Sequence, residues 1–266
     1  MLIGLSACVP SEQTTSSSAP SEISETPLSP SSTPVARYPL IGADSAQPGQ
    51  SAYSFRLASG DLVNFLLFLP SDRDPEVEWP IIVYLHGHGG KGSNTERLTN
   101  EPLPALLESP EEFPFIVVSP QLPDGIWTSF LEPVDQLLAH LTEIFPTDAE
   151  RIYLTGFSRG SHGAWQYALR YQGRFAAVAP VAGGPSLSNN QTPENICDLK
   201  DLPIWVFHSD ADSVVPIDID VAAVSALESC GGDVRFTRSS DLDHLDTALD
   251  AYNNADLYAW FLEHSR

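Results

Sequence analysis

The residues with the most chemistry in them are Gly156-Phe-Ser-Arg-Gly160, which follow the apolar run Ile152-Tyr-Leu154 and lead into Ser161-His-Gly-Ala-Trp165. A serine on so sharp a strand-to-helix turn projects its hydroxyl off the edge of a sheet. Glycines flank it because a Cβ there would strike neighbouring backbone. Ser158 is therefore the candidate nucleophile. The short pattern alone also describes an ordinary glycine and serine turn. Its context favours chemistry: a strand-like run precedes it, and Gly160, Gly163 and Ala164 allow a helix to approach a sheet closely.

A serine hydroxyl needs a base to take its proton, and the chain has seven histidines. His86 and His208 end apolar runs and read as hydrogen-bonded core residues, while His140 and His264 fall on helical stretches. His162 lies four residues past the serine, on the elbow helix rather than above the hydroxyl. Apart from His88, in a glycine-rich loop, His244 remains, in Asp241-Leu-Asp-His-Leu-Asp246, a loop between the last strand and the closing helix. The orienting acid is expected between serine and histidine in the chain. There, His208-Ser-Asp-Ala-Asp-Ser-Val-Val-Pro216 offers Asp210 and Asp212. Asp212 is favoured because it directly precedes the Ser-Val-Val-Pro that restarts the chain towards a helix, which leaves Asp210 as a loop carboxylate. Asp243 is too close in sequence to hold the imidazole from behind. Negative charge developing on a carbonyl oxygen needs backbone donors. These are assigned to the amides of Arg159 and of His88, the latter in the glycine-rich Leu85-His-Gly-His-Gly-Gly90. His86 and His88 have no further ligand at a supporting distance, so no metal is expected, and no cofactor.

Such groups need a scaffold. Alternating apolar and polar positions over Ala52 to Leu57 and Leu62 to Leu69, around Ser59-Gly-Asp61, predict an antiparallel hairpin. Beyond it the pattern changes to short apolar runs: Ile81 to Leu85, Phe115 to Ser119, Arg151 to Gly156, Ala176 to Val181, Ile204 to Phe207 and Val234 to Thr237. Runs of this kind form strands buried on both faces. Helices are predicted over Leu131 to Phe145, Ser158 to Tyr171, Ile217 to Ser229 and Thr247 to Glu263. The alternation implies an α/β architecture, a mostly parallel central sheet with helices on both faces. The segment from Ala182 to Asp201 is short and polar, so no large lid is expected and the cleft should be open. Trp127 either lines that cleft or sits in the core.

With those residues in place, the chain resembles the α/β-hydrolase superfamily, and within it the group of polyhydroxybutyrate depolymerase-like esterases, feruloyl and acetyl xylan esterases, and predicted peptidases. The resemblance runs from Trp79 to Phe261. It rests on Trp79-Pro-Ile-Ile-Val-Tyr-Leu-His-Gly87, Ser119-Pro-Gln121 with Trp127, Asp148-Ala-Glu-Arg-Ile-Tyr-Leu-Thr-Gly-Phe-Ser158, Phe175-Ala-Ala-Val-Ala-Pro-Val-Ala-Gly-Gly184, His208 to Pro216, and His244. It implies the α/β-hydrolase fold and a serine carboxylic ester hydrolase with Ser158, Asp212 and His244 as triad and His88 and Arg159 as oxyanion donors. A peptidase of the same fold and a non-catalytic binding lipoprotein are the rival readings. Related proteins usually carry an apolar residue after the nucleophile and a glycine after the motif, where this chain has Arg159 and Ser161. The Arg159 side chain is expected to pair with a buried acid, the alternative being contact with a carboxylate of the acyl group.

Composition bounds the rest. At 266 residues and 42% hydrophobic content, one substantial core is expected, with a tail. The 13 basic against 35 acidic residues, a formal −22, describe a self-repelling surface, which disfavours nucleic acid and fits a monomer. Met1-Leu-Ile-Gly-Leu-Ser-Ala-Cys8 resembles the end of a bacterial lipoprotein signal, with Cys8 as the lipidated residue. No basic residue precedes the apolar run, which leaves open a start upstream of Met1. The expected organisation is a signal segment over 1–8, a Ser/Thr/Pro-rich tether over 9–36 and a catalytic domain over 37–266. The protein would then be exported to the bacterial cell envelope, touching membrane only through its lipid anchor. In such a compartment Cys197 and Cys230 either form a disulfide or remain buried thiols. An open cleft on a tethered, exported protein suits bulky or polymer-linked ester substrates.

Overall fold

The computed structural model describes residues 1, 2, 4, 36–42, 46–71, 74, 76–109, 113–187 and 191–266. The chain divides into two units, Met1–Ser32 and Thr33–Arg266, and the second carries every strand and helix among the described residues. Cys8 and the expected tether, apart from Ala36, lie outside those residues. No described helix is long and apolar enough to cross a membrane.

The predicted hairpin is β1 (Gly49–Arg56) and β2 (Leu62–Leu69), paired antiparallel from Gly49 opposite Leu69 to Arg56 opposite Leu62. Then come β3 (Trp79–Leu85), α1 (Pro102–Leu106), β4 (Ile116–Pro120), α2 (Leu131–Ile144), β5 (Thr147–Phe157), α3 (Arg159–Arg170) and β6 (Ala177–Val181). β7 (Ile204–Ser209), α4 (Asp218–Ser229), β8 (Val234–Ser239), α5 (His244–Asn253) and α6 (Ala255–Leu262) complete the chain. The sheet runs β1-β2-β4-β3-β5-β6-β7-β8. All pairs from β4 onward are parallel, and β2 meets β4 antiparallel.

Side chains alternate across this sheet, so each parallel strand feeds two cores except β8, which at the sheet edge is half-buried or exposed rather than buried on both faces as expected. Ile81, Val83 and Leu85 of β3, with Ile152 and Leu154 of β5, join α2, α3 and α4 on one face. Ile82, Tyr84 and Tyr153 join α1, α5 and α6 on the other. Burial on both faces explains why these strands read as unbroken apolar runs, each such side chain contributing about 1.5–3 kcal/mol when fully buried.

Two boundaries differ from expectation. β5 starts at Thr147, through exposed residues that carry no apolar signal. The single closing helix is two, because Asn254 adopts an extended conformation (φ −80°, ψ 108°) and its side chain accepts from the Asp256 amide, starting α6. Asparagine is among the best residues for that task. The break lets Tyr252 on α5 and Phe261 on α6 both reach the same core.

Cys197, in the turn before β7, is bonded to Cys230 at the end of α4, with the Cα atoms 5.7 Å apart. Iodoacetamide should label these two thiols only after reduction, as read by peptide mass. Replacing both by serine should cost about 3 kcal/mol, seen as a lower denaturant midpoint, through the freed loop entropy of the unfolded chain.

Candidate active site

Ser158 stands between β5 and α3 with φ 56° and ψ −115°, a conformation that L-residues seldom adopt. It persists because the surroundings leave no alternative. A Cβ on Gly160 would lie 1.8 Å from the Leu85 carbonyl oxygen, and one on Gly156 would lie 2.3 Å from the Gly160 oxygen. The helix therefore presses directly onto the end of β3, and the hydroxyl is pushed clear of the sheet. The hydroxyl of Ser161, beside Gly160, donates to the Gly183 carbonyl.

Three groups distant in sequence converge here. Ser158 Oγ is 2.9 Å from His244 Nε2, and His244 Nδ1 is 2.6 Å from Asp212 Oδ2. His244 is the first residue of α5 rather than a loop residue, because the Asp243 side chain caps that helix at the Asp246 amide. Its ring packs on Phe157, centroids 4.8 Å apart. Asp210 instead binds Arg238 on the surface.

Asp212 Oδ1 accepts from the amides of Val214 (2.8 Å) and Val215 (2.9 Å), while Oδ2 accepts from His244 and from His208 Nε2 at 3.2 Å. Burial pushes this carboxyl up, but hydrogen bonds from His208, His244 and the two amides outweigh it and hold Asp212 well below the usual carboxylate range. As an ionised acceptor, Asp212 requires the proton on His244 Nδ1, which leaves Nε2 as a lone pair facing the serine.

His208 has more to do than sequence suggested. Its Nδ1 lies 2.7 Å from Asp220 Oδ2, and its Nε2 faces both Asp212 Oδ2 and the Val215 carbonyl at 3.0 Å. Every neighbour is an acceptor, so both nitrogens carry protons and the ring is a buried cation between two carboxylates. Burial pulls its pKa down, and the two acids more than reverse this, raising it to about 9. Asp220 was not anticipated; a helix residue eight positions past Asp212 shows no sign of facing back to the strand end.

The amides of His88 and Arg159 donate to no protein acceptor among the described residues, and both residues line the same cleft as Ser158. The loop carrying His88 is held by a second unanticipated residue. Buried Glu101 accepts from the Gly87 amide at 2.9 Å and from the Tyr84 hydroxyl at 3.3 Å. Burial raises its pKa, and those donors resist the rise. His86 is a core histidine, as expected: its Nδ1 meets the Gly87 carbonyl, its Nε2 accepts from the Leu122 amide, and burial lowers its pKa to about 4.

Two expectations are corrected. Trp127 is a core residue, 1% exposed, whose indole N–H donates to the His86 carbonyl at 3.0 Å and whose ring meets that imidazole edge-on. It braces the loop from below and does not line the cleft of Ser158, but it borders a narrow pocket beside it with His88, Arg159 and His162. The Arg159 side chain pairs with no buried acid among the described residues; it is exposed and lines the cleft. The helix start turns it outward, away from the core.

The profile of the Phospholipase/Carboxylesterase family matches residues 124–248, which span the serine, the acid and the histidine. A thermostable esterase of known structure is 26% identical, with a TM-score of 0.69 over 82% of this chain and 64% of its own. The chain has the α/β-hydrolase fold. It covers less than two thirds of that esterase, and 36% of a protein provisionally named dipeptidyl aminopeptidase IV from Bacteroides ovatus, which is 16% identical with a TM-score of 0.63 over 82% of this chain. A ferulic acid esterase from Anaeromyces mucronatus, 16% identical, has a TM-score of 0.59 over 79% of this chain and 90% of its own. No curated protein matches. In this α/β-hydrolase fold the strand ends that carry Ser158 and Asp212 point to one edge of the sheet, where α5 delivers His244.

The buried cation makes a pH-dependent contribution to stability. His208 has a folded pKa of about 9 against an ordinary 6.5, so its contribution is complete below about 6.5 and is lost as pH rises through 9. Urea unfolding from pH 6 to 9.5 should show stability falling over that window. The fall should be smaller in His208→Gln.

Proposed function

We propose that the chain is a serine carboxylic ester hydrolase working through an acyl-enzyme. The observation that carries this reading is the continuous set of contacts from Ser158 Oγ through His244 to Asp212, beside two unused amides. The carboxylesterase-type family match and the 26%-identical esterase support ester hydrolysis as the reaction class.

In the proposed cycle, His244 Nε2 takes the Ser158 proton as Oγ attacks the ester carbonyl. The oxyanion then rests on the amides of His88 and Arg159, a contribution for which losing one donor typically costs about 100- to 1,000-fold in rate. As the tetrahedral species collapses, the C–O bond to the alcohol breaks and His244 returns its proton to the leaving oxygen. Water, deprotonated by the same nitrogen, attacks the acyl-serine and releases the acid. Asp212 holds the required tautomer and favours the imidazolium.

Ser158 is partly exposed at the wall of a cleft of about 510 Å³, which continues past His162 and Leu187 into a second groove of about 440 Å³. An open, extended cleft suits esters attached to bulky or polymeric groups. With the N-terminal sequence it supports an exported, envelope-tethered enzyme.

Ser158→Ala should abolish hydrolysis of 4-nitrophenyl acetate and butyrate, a loss of at least about 10,000-fold, with an unchanged circular dichroism spectrum. A fluorophosphonate probe should label the wild type and not the variant. Turnover surviving in Ser158→Ala overturns the assignment. Faster cleavage of peptide amides than of matched esters would redirect it to a peptidase.

A further inference from the structure

We propose that Arg159 and the neighbouring His162 form a subsite for a carboxylate on the substrate, so that the preferred esters are anionic. This rests on the hydrolase reading above and concerns what that site selects.

The guanidinium is unusual in this molecule. Of the twelve described lysines and arginines, six stand in ion pairs, two donate to backbone carbonyls and three lie over aromatic rings. Arg159 alone among them has no partner among the described residues. In a chain of 35 acidic residues an arginine does not lack potential partners. No described residue lining its cleft is acidic.

A second observation is independent of the first. His162 lies one turn further along α3, on the same wall, since residues three apart share a helix face. It is only 7% exposed, and its Nδ1 has no hydrogen-bond partner. Burial lowers its pKa, against the pull of the Gly184 and Pro185 carbonyls. An unsatisfied buried nitrogen is costly. In the tautomer that carries its proton on Nδ1, this nitrogen would donate to a carboxylate oxygen held beside Arg159.

The rest of the wall fixes the charge of that ligand. Leu187, Val214, Val215, Pro216 and Ile219 are apolar, so Arg159 is the cation of an otherwise uncharged wall, and Lys91 in the adjoining narrow pocket is already paired with Asp124. That suits a singly charged, planar carboxylate, which the guanidinium can bind through two parallel hydrogen bonds, better than a doubly charged phosphate. The overall charge of −22 opposes an approaching anion at long range, but physiological salt screens it over about 8 Å, and the contact itself is local.

The test compares 4-nitrophenyl hexanoate with the mono-4-nitrophenyl ester of adipic acid, using the ratio of their kcat/KM values. In the wild type the ratio should favour the adipate ester and decline with added salt. In Arg159→Met and Arg159→Gln it should fall at least about tenfold, whatever happens to the rate common to both esters. A ratio unchanged within about twofold, with both esters hydrolysed, overturns the subsite and leaves the hydrolase reading intact. If neither ester is hydrolysed and fluorophosphonate does not label Ser158, the hydrolase reading is what fails. Binding then decides: calorimetry with monomethyl adipate should detect binding to Ser158→Ala and none to Ser158→Ala/Arg159→Met. Equal binding to both proteins would overturn the subsite.

Discussion

The first turn of α3 lies against the carbonyl end of β3 so closely that only hydrogen fits where the Gly160 side chain would be. That single approach determines three things. It forces Ser158 into its strained conformation, it sets the Arg159 amide at the mouth of the cleft, and it brings the Leu85-to-Gly90 loop alongside. The strain, of order 1–3 kcal/mol, is offset by packing on both sides of the sheet, which positions the nucleophile before any substrate arrives. Glu101 and Trp127 support the loop from opposite directions, one through an amide and the other through a carbonyl. The two amides thus belong to separate elements yet are held as one unit.

The acid side is organised around charge rather than sterics. At rest, His208 as a cation stands between the carboxylates of Asp212 and Asp220, so the buried group carries one net negative charge. Protonation of His244 during the proposed reaction would bring the four side chains to neutrality. Burying a lone charge is expensive, so a cluster that becomes neutral as the imidazolium forms favours that state. The serine side is therefore rigid by contact, and the acid side is poised by electrostatics.

This division also explains what could be read from sequence. Ser158 was legible because the elbow needs glycines at fixed offsets, and the parallel strands were legible because burial on both faces leaves continuous apolar runs. The fold class followed from their alternation with helices. His244 and Asp212 were reached by elimination and chain order, which works when few histidines are available. Glu101 and Asp220 were invisible: the burial of each is decided by a partner elsewhere in the chain, Gly87 in one case and His208 in the other. The environment of the Arg159 side chain was likewise hidden, because the helix start turns it outward in a way no local pattern records. The break at Asn254 had a signal, a good capping residue inside a helical stretch, that the surrounding apolar periodicity concealed.

The bridge between Cys197 and Cys230 encloses β7, Asp212, His208 and Asp220, but neither Ser158 nor His244. Oxidation therefore staples the segment that orients His244, while Ser158 and the amides of His88 and Arg159 owe nothing to sulfur chemistry. In thiol-rich surroundings, the loosened part would be the one that aligns the imidazole. The two halves of the proposed catalytic apparatus thus differ in their dependence on where the protein matures.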